Sequence, residues 1–345
     1  MKAVYMTQHG APDVLTYGER PEPVTGPGEI KVRVKACSLN RLDIWIRSGQ
    51  RGTRRDSSKP HILGADVAGD VVEVGDGVHN VKVGDRVLLN PRLTCGRCQY
   101  CLKGQDDYCP SGTMLGEGID GGYAELVKAP AVNAHVLPSH VGYEEAAAMP
   151  TTFMPVWNIF MRKARLQPWE TCLVLSASSG VGTAAIQVAK KVIGARVIVT
   201  TSTPEKAAKA RALGADEVIL YTQEDVVQRV KELTEGQGAD LVLDHLGAEF
   251  FPTAFNSLKV GGRFATCGVT TGWKAELHMG QLFTRHLTLM GVRMGCKEDL
   301  RQIVELLCRG VIKGYIHQSF PLSEAREAHE TMEGRNFFGK LILKP

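Results

Sequence analysis

The sequence predicts an α/β protein in which a doubly wound parallel sheet is joined to a separate strand-rich domain. Three observations carry that prediction. From about Pro168, short apolar strands alternate with helical stretches, the pattern of parallel strands linked by helical crossovers. Before that point, Lys2 to Tyr5, Ile30 to Ala36, Ala65 to Val74 and Arg86 to Leu89 are β-branched runs broken by Gly, Pro and Asp, as in a small barrel or sandwich. At 345 residues the chain exceeds one ordinary core and suits about two domains.

Within the alternating part, CLVL leads to TAAIQVAKKV and RVIVT to PEKAAKARALG; EVILY, LVLDHLG, GRFATCG and LTLMGV continue the strands. The tail reads as a helix (DLRQIVELLCRG), an extended piece (IHQSFPL), a second helix (SEAREAHETMEG) and a final strand (GKLILKP). Ser323 with Arg326 is half a capping signal, and Glu324 and Glu327 place acid in the first turn, where the helix dipole favours it.

Apolar content of 43%, charged content of 23% and a net charge of +4 describe an ordinary globular protein. No long Lys/Arg block offers phosphate neutralisation, so no nucleic-acid partner is expected. No run of about 18 apolar residues occurs, so no membrane partner is expected. The nine cysteines have no framework pairing and the start lacks a signal-peptide pattern, so the expected compartment is the reducing cytoplasm.

Four of those cysteines, Cys95, Cys98, Cys101 and Cys109, follow Cys-x2-Cys-x2-Cys-x7-Cys, a spacing for one tetrahedral Zn²⁺. Four thiolates close the coordination sphere, so such an ion braces a loop and activates nothing.

The segment LVLSASSGVGTAAIQVAK sets a small-residue turn between strand and helix, where a dinucleotide pyrophosphate meets unsatisfied N–H groups. The three glycine positions of the Rossmann fingerprint hold Ala177, Ser179 and Gly182, with Gly180 between. Ser178 and Val181 complete the contact set. The next strand offers Thr201 where an NAD site wants Asp or Glu. Ser202, Thr203 and Lys206 follow, suited to a 2′-phosphate, so NADPH is the expected cofactor.

With lobe, turn and terminal strand in view, the chain resembles the medium-chain dehydrogenase/reductase superfamily, and more closely its quinone oxidoreductase branch. The segments that carry the resemblance run end to end: VKACSLNRLDIWIRSG, HILGADVAGDVVEVGDGV, VGDRV, the lobe, GGYAE, EEAAAMPTTF, SSGVGTAAIQVAKKVIGARV, LGADEVI and LVLDHLG. The resemblance implies a GroES-like β-barrel catalytic domain at 1–150 with the structural zinc lobe at about 92–112. It further implies a Rossmann domain at 151–294, a return to the catalytic domain at 295–345, and a homodimer or homotetramer.

In the zinc alcohol dehydrogenases of this superfamily three ligands hold a catalytic metal; the matching positions here are Asn40, Ala65 and Thr151. None is a competent zinc ligand, since a methyl cannot coordinate and a neutral amide or hydroxyl binds too weakly. His61 and Cys37 are the nearest conceivable substitutes. The resemblance therefore implies hydride transfer to an activated small-molecule acceptor, a quinone, enone or other conjugated C=C, without a catalytic zinc. It assigns Asn40, Asp43, Trp45 and Asp66 to catalysis, with Asn40 as donor or orienter, Asp43 holding the loop and Trp45 replacing a family tyrosine. It assigns Thr151, Tyr221, Gly247, Gly268, Val292 and Lys340 to the cofactor.

Three alternatives remain. A CoA-thioester reductase would use Arg47, Arg51, Arg54, Arg55 and Lys59 on the phosphates; a zinc alcohol dehydrogenase would need a second metal; a non-enzymatic NADPH sensor would bind without turnover.

Overall fold

A computed structural model describes residues 1–50, 53 and 59–345. The chain forms two compact units, Met1–Thr151 with Cys296–Pro345, and Thr152–Gly295.

The first unit is built on a seven-stranded sheet. Its path runs Ala134–Val136, Arg86–Leu89, Asp66–Val74, Glu29–Ser38, Lys340–Lys344 and Ile316–Pro321, with Leu126–Pro130 also paired to Glu29–Ser38. The long strand EIKVRVKACS alternates as a half-buried strand should, with Ile30, Val32 and Val34 inside and Lys31, Arg33 and Lys35 outward. A register shift between Val34 and Ala36 breaks the alternation, after which Ala36, Cys37 and Ser38 are all buried. Gly69 permits the crossing, because a Cβ there would lie 2.1 Å from the Arg33 carbonyl oxygen. Lys340–Lys344 pairs antiparallel with the end of this strand, bringing Ile342 opposite Ser38.

The second unit holds six parallel strands in the order Glu217–Leu220, Arg196–Thr201, Thr171–Val174, Ala239–Asp244, Leu258–Thr266 and Thr288–Gly291. Numbered within the unit this is 3-2-1-4-5-6, the doubly wound Rossmann order, whose direction reverses between the first and fourth strands. Ala239–Asp244 is buried throughout, as expected for a strand covered on both faces.

Ser323 does not cap the last helix: a short 3₁₀ turn, Leu322–Glu324, precedes Ala325–Gly334, and Glu324 occupies the cap position. No helix of the described residues is long and apolar enough to cross a membrane.

Candidate functional site

At the reversal point of the parallel sheet the strand Thr171–Val174 turns into the helix Gly180–Gln187. Ser179 caps that helix, its Oγ accepting from the Gly182 N–H at 2.8 Å. Gly182 is forced by contact, since a Cβ there would stand 2.2 Å from the Ser176 carbonyl oxygen. Ser178, Gly180 and Val181 are half-buried along the same turn. A residue the sequence reading missed completes it: His245, just beyond the fourth strand, places Nε2 2.7 Å from Ser179 Oγ. Its Nδ1 is buried with no hydrogen-bond partner, and burial holds the imidazole down to about pKa 4, so it is neutral. The signal was topological, because strands one and four become neighbours only once the order is known.

The second strand ends at Thr201, whose Oγ1 is likewise buried without a partner. Thr203 caps Pro204–Leu213 by accepting from the Lys206 N–H, and Thr222 Oγ1 donates to the Ser202 carbonyl at 3.0 Å. Lys206 is half-buried; desolvation lowers its ammonium pKa, Glu205 opposes that and Lys209 adds to it. Tyr221 is exposed on the neighbouring strand end, its ring edge-on to Phe250. Gly247, at φ +96°, donates to the Asp244 carboxylate; a Cβ on Gly268 would lie 2.7 Å from the His245 carbonyl oxygen; the Val292 N–H bonds the Thr266 carbonyl. Capped helix starts, small residues and two orphaned buried polar atoms, on His245 and Thr201, fit a dinucleotide.

In the first unit, Asp66 is the hub of a buried polar cluster. Its carboxylate accepts from Thr151 Oγ1 at 2.7 Å, Asn40 Nδ2 at 3.0 Å and Ser38 Oγ at 3.3 Å, and Lys340 Nζ lies 3.9 Å away. Lys340 donates to the Asn40 Oδ1 and to the Leu39 carbonyl, both at 2.6 Å. Lys340 and Thr151 thus meet Asn40 and Asp66 within the first unit. Every side-chain polar atom of Asn40 is engaged, since Nδ2 also approaches the Ser38 carbonyl at 3.4 Å. Both Nδ2 protons are thereby taken, which leaves the amide no donor for a further partner.

Asp43 accepts from the Asn40 N–H at 2.7 Å, closing a capping box on Arg41–Ser48, and from the Gly64 N–H at 3.1 Å. Burial outweighs these bonds and raises it to about pKa 6. Trp45 is half-buried on the same helix. Arg47 corrects the basic-mouth expectation: it is 2% exposed, paired to Glu333 at 2.6 Å and bonded to His329 Nδ1 at 3.2 Å. Of the other residues in that expectation, Arg51, Arg54 and Arg55 lie outside the described residues, while Lys59 is exposed.

Of the three metal-ligand positions, Ala65 presents only a buried methyl, and Asn40 and Thr151 are bonded to Asp66. His61 is not a substitute, since Nε2 lies 2.9 Å from the Gly116 carbonyl and Nδ1 3.4 Å from Asp120. Cys37 is fully buried, which pushes its thiol well up.

Among the described residues the one cluster able to hold a metal is Cys95, Cys98, Cys101 and Cys109, whose sulfurs lie within 4.8 Å of one another. Sulfurs of Cys98 and Cys101 are 3.5 Å apart and those of Cys95 and Cys101 4.0 Å, bracketing the ~3.8 Å edge of a tetrahedron with Zn–S bonds of about 2.3 Å. Backbone N–H groups of Arg97 and Cys98 lower Cys95 to about pKa 6, while burial and the Cys98 sulfur push its neighbour Cys101 up to about 11.

Residues 26–139 match the family model of the alcohol dehydrogenase GroES-like domain, and 180–309 that of zinc-binding dehydrogenase. Quinone oxidoreductase 1 of Escherichia coli is 31% identical, with 98% of each chain covered. The acryloyl-coenzyme A reductase of Metallosphaera sedula is 30% identical, with 99% of each covered. A solved NAD-dependent alcohol dehydrogenase superposes at a TM-score of 0.96 with 42% identity, both chains covered fully. The chain belongs to the medium-chain dehydrogenase/reductase superfamily. As a medium-chain dehydrogenase/reductase it is an oxidoreductase. Its GroES-like match spans Asn40, Asp43, Asp66 and the cysteine lobe, and its dehydrogenase match begins inside the small-residue turn, at Gly180, and runs past Val292.

Proposed function

We propose that this chain is an NADPH-dependent reductase of an activated acceptor, a quinone, an enone or another conjugated C=C, working without a catalytic zinc. The observation that carries the reading is the Asp66 cluster, in which Asn40 and Thr151, at two of the three ligand positions, spend their polar groups on a carboxylate beside Lys340, while Ala65 offers none.

Oxidation of a plain alcohol needs a Lewis acid to lower its pKa and hold the alkoxide. An activated acceptor is already polarised, so protein hydrogen bonds suffice for the charge that develops on oxygen. NADPH would be held by the capped turn at Ser178–Gly182, with Ser202, Thr203, Lys206 and Tyr221 around the 2′-phosphate and Gly247, Gly268 and Val292 along the strand ends. Bound there, it supplies a hydride. The four cysteines would hold one structural zinc.

The test is metal content by plasma emission together with NADPH and NADH oxidation across quinones, enones, crotonyl-CoA and primary alcohols. One zinc per subunit with NADPH-dependent reduction of conjugated acceptors is expected. Two zincs with chelator-sensitive alcohol oxidation would sink the reading. The similarity to acryloyl-coenzyme A reductases favours a thioester as the second reading, and crotonyl-CoA in the same panel separates it from a free enone.

A further inference from the structure

Asp66 is fully buried, and three of its four polar side-chain neighbours, Ser38, Asn40 and Lys340, are buried with it. The fourth, Thr151, is half-buried, and its hydroxyl lies 2.7 Å from Asp66 Oδ1. In the structure the Thr151 O–H donates to Asp66; once Asp66 is protonated the same contact reverses, Thr151 accepting from the carboxyl and turning its own proton outward. Asn40 cannot serve, its amide being fixed between Lys340, Ser38 and Asp66. We propose that Asp66 and Thr151 form the proton relay of the reaction, with Thr151 Oγ1 as the atom that hands the proton to the substrate.

This rests on the conjugate-reduction reading above. Hydride adds to the β-carbon and the π pair moves into the enolate. The Thr151 O–H bond then breaks and a C–H bond forms at the α-carbon as the Asp66 carboxyl proton passes to Thr151 Oγ1. Asp66 is left as carboxylate, and water restores its proton through Thr151 after product leaves. Burial raises the Asp66 pKa, which favours the protonated reservoir; Lys340, Asn40 and Thr151 act against it. Asp43 and Cys37 are the other titratable groups that interact with this cluster. Lys340 and Asn40 are positioning residues that fix the carboxyl.

The test uses the whole enzyme with NADPH and 2-methylcyclopentenone, whose α-carbon becomes stereogenic on protonation. Thr151→Val should lower kcat about a hundredfold with KM little changed, enlarge the solvent deuterium isotope effect and randomise the α-configuration, while hydride delivery stays on one face. Thr151→Ser, which keeps the hydroxyl, should restore rate and configuration. Without cofactor, the infrared difference between the native enzyme and Asp66→Asn should contain a protonated-carboxyl band between pH 5 and 7. Unchanged configuration and isotope effect in Thr151→Val, or no such band, overturns the relay. If Thr151→Val does not fold, Asp66→Asn carries the same configurational test, because an amide supplies no acid proton. If the native enzyme reduces no conjugated acceptor, the functional reading fails and the relay with it; a native enzyme that reduces them while the variants keep its stereochemistry sinks the relay alone.

Discussion

Ser179 Oγ and His245 Nε2 stand 2.7 Å apart although 66 residues separate them in the chain. The bond joins the first strand's turn to the end of the fourth strand, so the imidazole braces the turn from the far side of the sheet's reversal point. His245→Leu should raise the dissociation constant about fivefold for NADPH and NADH alike, the cost of one net hydrogen bond. Fluorescence titration with both cofactors checks this, and a selective loss of one would refute it.

The proposed 2′-phosphate site makes Lys206 the residue that separates the two cofactors. Lys206→Ala should raise the KM for NADPH about tenfold or more, the scale of a charge-assisted hydrogen bond, and leave that for NADH nearly unchanged. Equal effects in steady-state kinetics would remove the 2′-phosphate assignment.

The cysteine lobe should be needed for stability and not for chemistry. Cys98→Ser, which removes one sulfur of the set, is expected to release the zinc and lower the thermal midpoint by several degrees. Residual activity per folded molecule should match the native enzyme; its disappearance in protein that remains folded would argue for a catalytic ion.

His329 gives a pH signature. Arg47 can only donate, so Nδ1 of His329 accepts at 3.2 Å, and Nε2 carries the proton that reaches Tyr123 at 3.1 Å. Tyr123 is then free to donate to Asp43. Burial, then the Arg47 charge, holds His329 down to about pKa 3 against an ordinary 6.5. The unfolded chain therefore binds the extra proton first as pH falls. The contribution is complete above pH 6.5 and is lost between 6.5 and 3, on the order of 5 kcal/mol at most. Thermal melts across that window should fall less steeply for His329→Gln than for the native protein, and identical slopes would count against it.

Local features were legible in the sequence. The zinc lobe is written in spacing over fifteen positions, and the parallel sheet in apolar strands that alternate with helices. What escaped was long-range pairing of polar groups. Arg47 stands at the edge of a basic stretch and resembles a solvated cation, yet its partner Glu333 lies 286 residues away and turns it into a buried tie. Lys340 sits on the last strand, and nothing local reveals that antiparallel pairing sets that strand beside Glu29–Ser38 and its ammonium against Asn40. Asn40 reads as donor or orienter, and only the fold reveals that both Nδ2 protons and Oδ1 are already engaged.

The bond between Lys340 and Asn40 spans 300 residues. During synthesis the Rossmann unit, Thr152–Gly295, leaves the ribosome complete while the unit around Asp66 still lacks a strand and the one buried ammonium among its described residues. The half proposed to bind the nucleotide can thus mature first, and the half proposed to hold the proton relay waits on the closing strand. A nascent chain stalled before Lys340 should bind dinucleotide and reduce nothing, a built-in delay between capturing the reductant and being able to spend it.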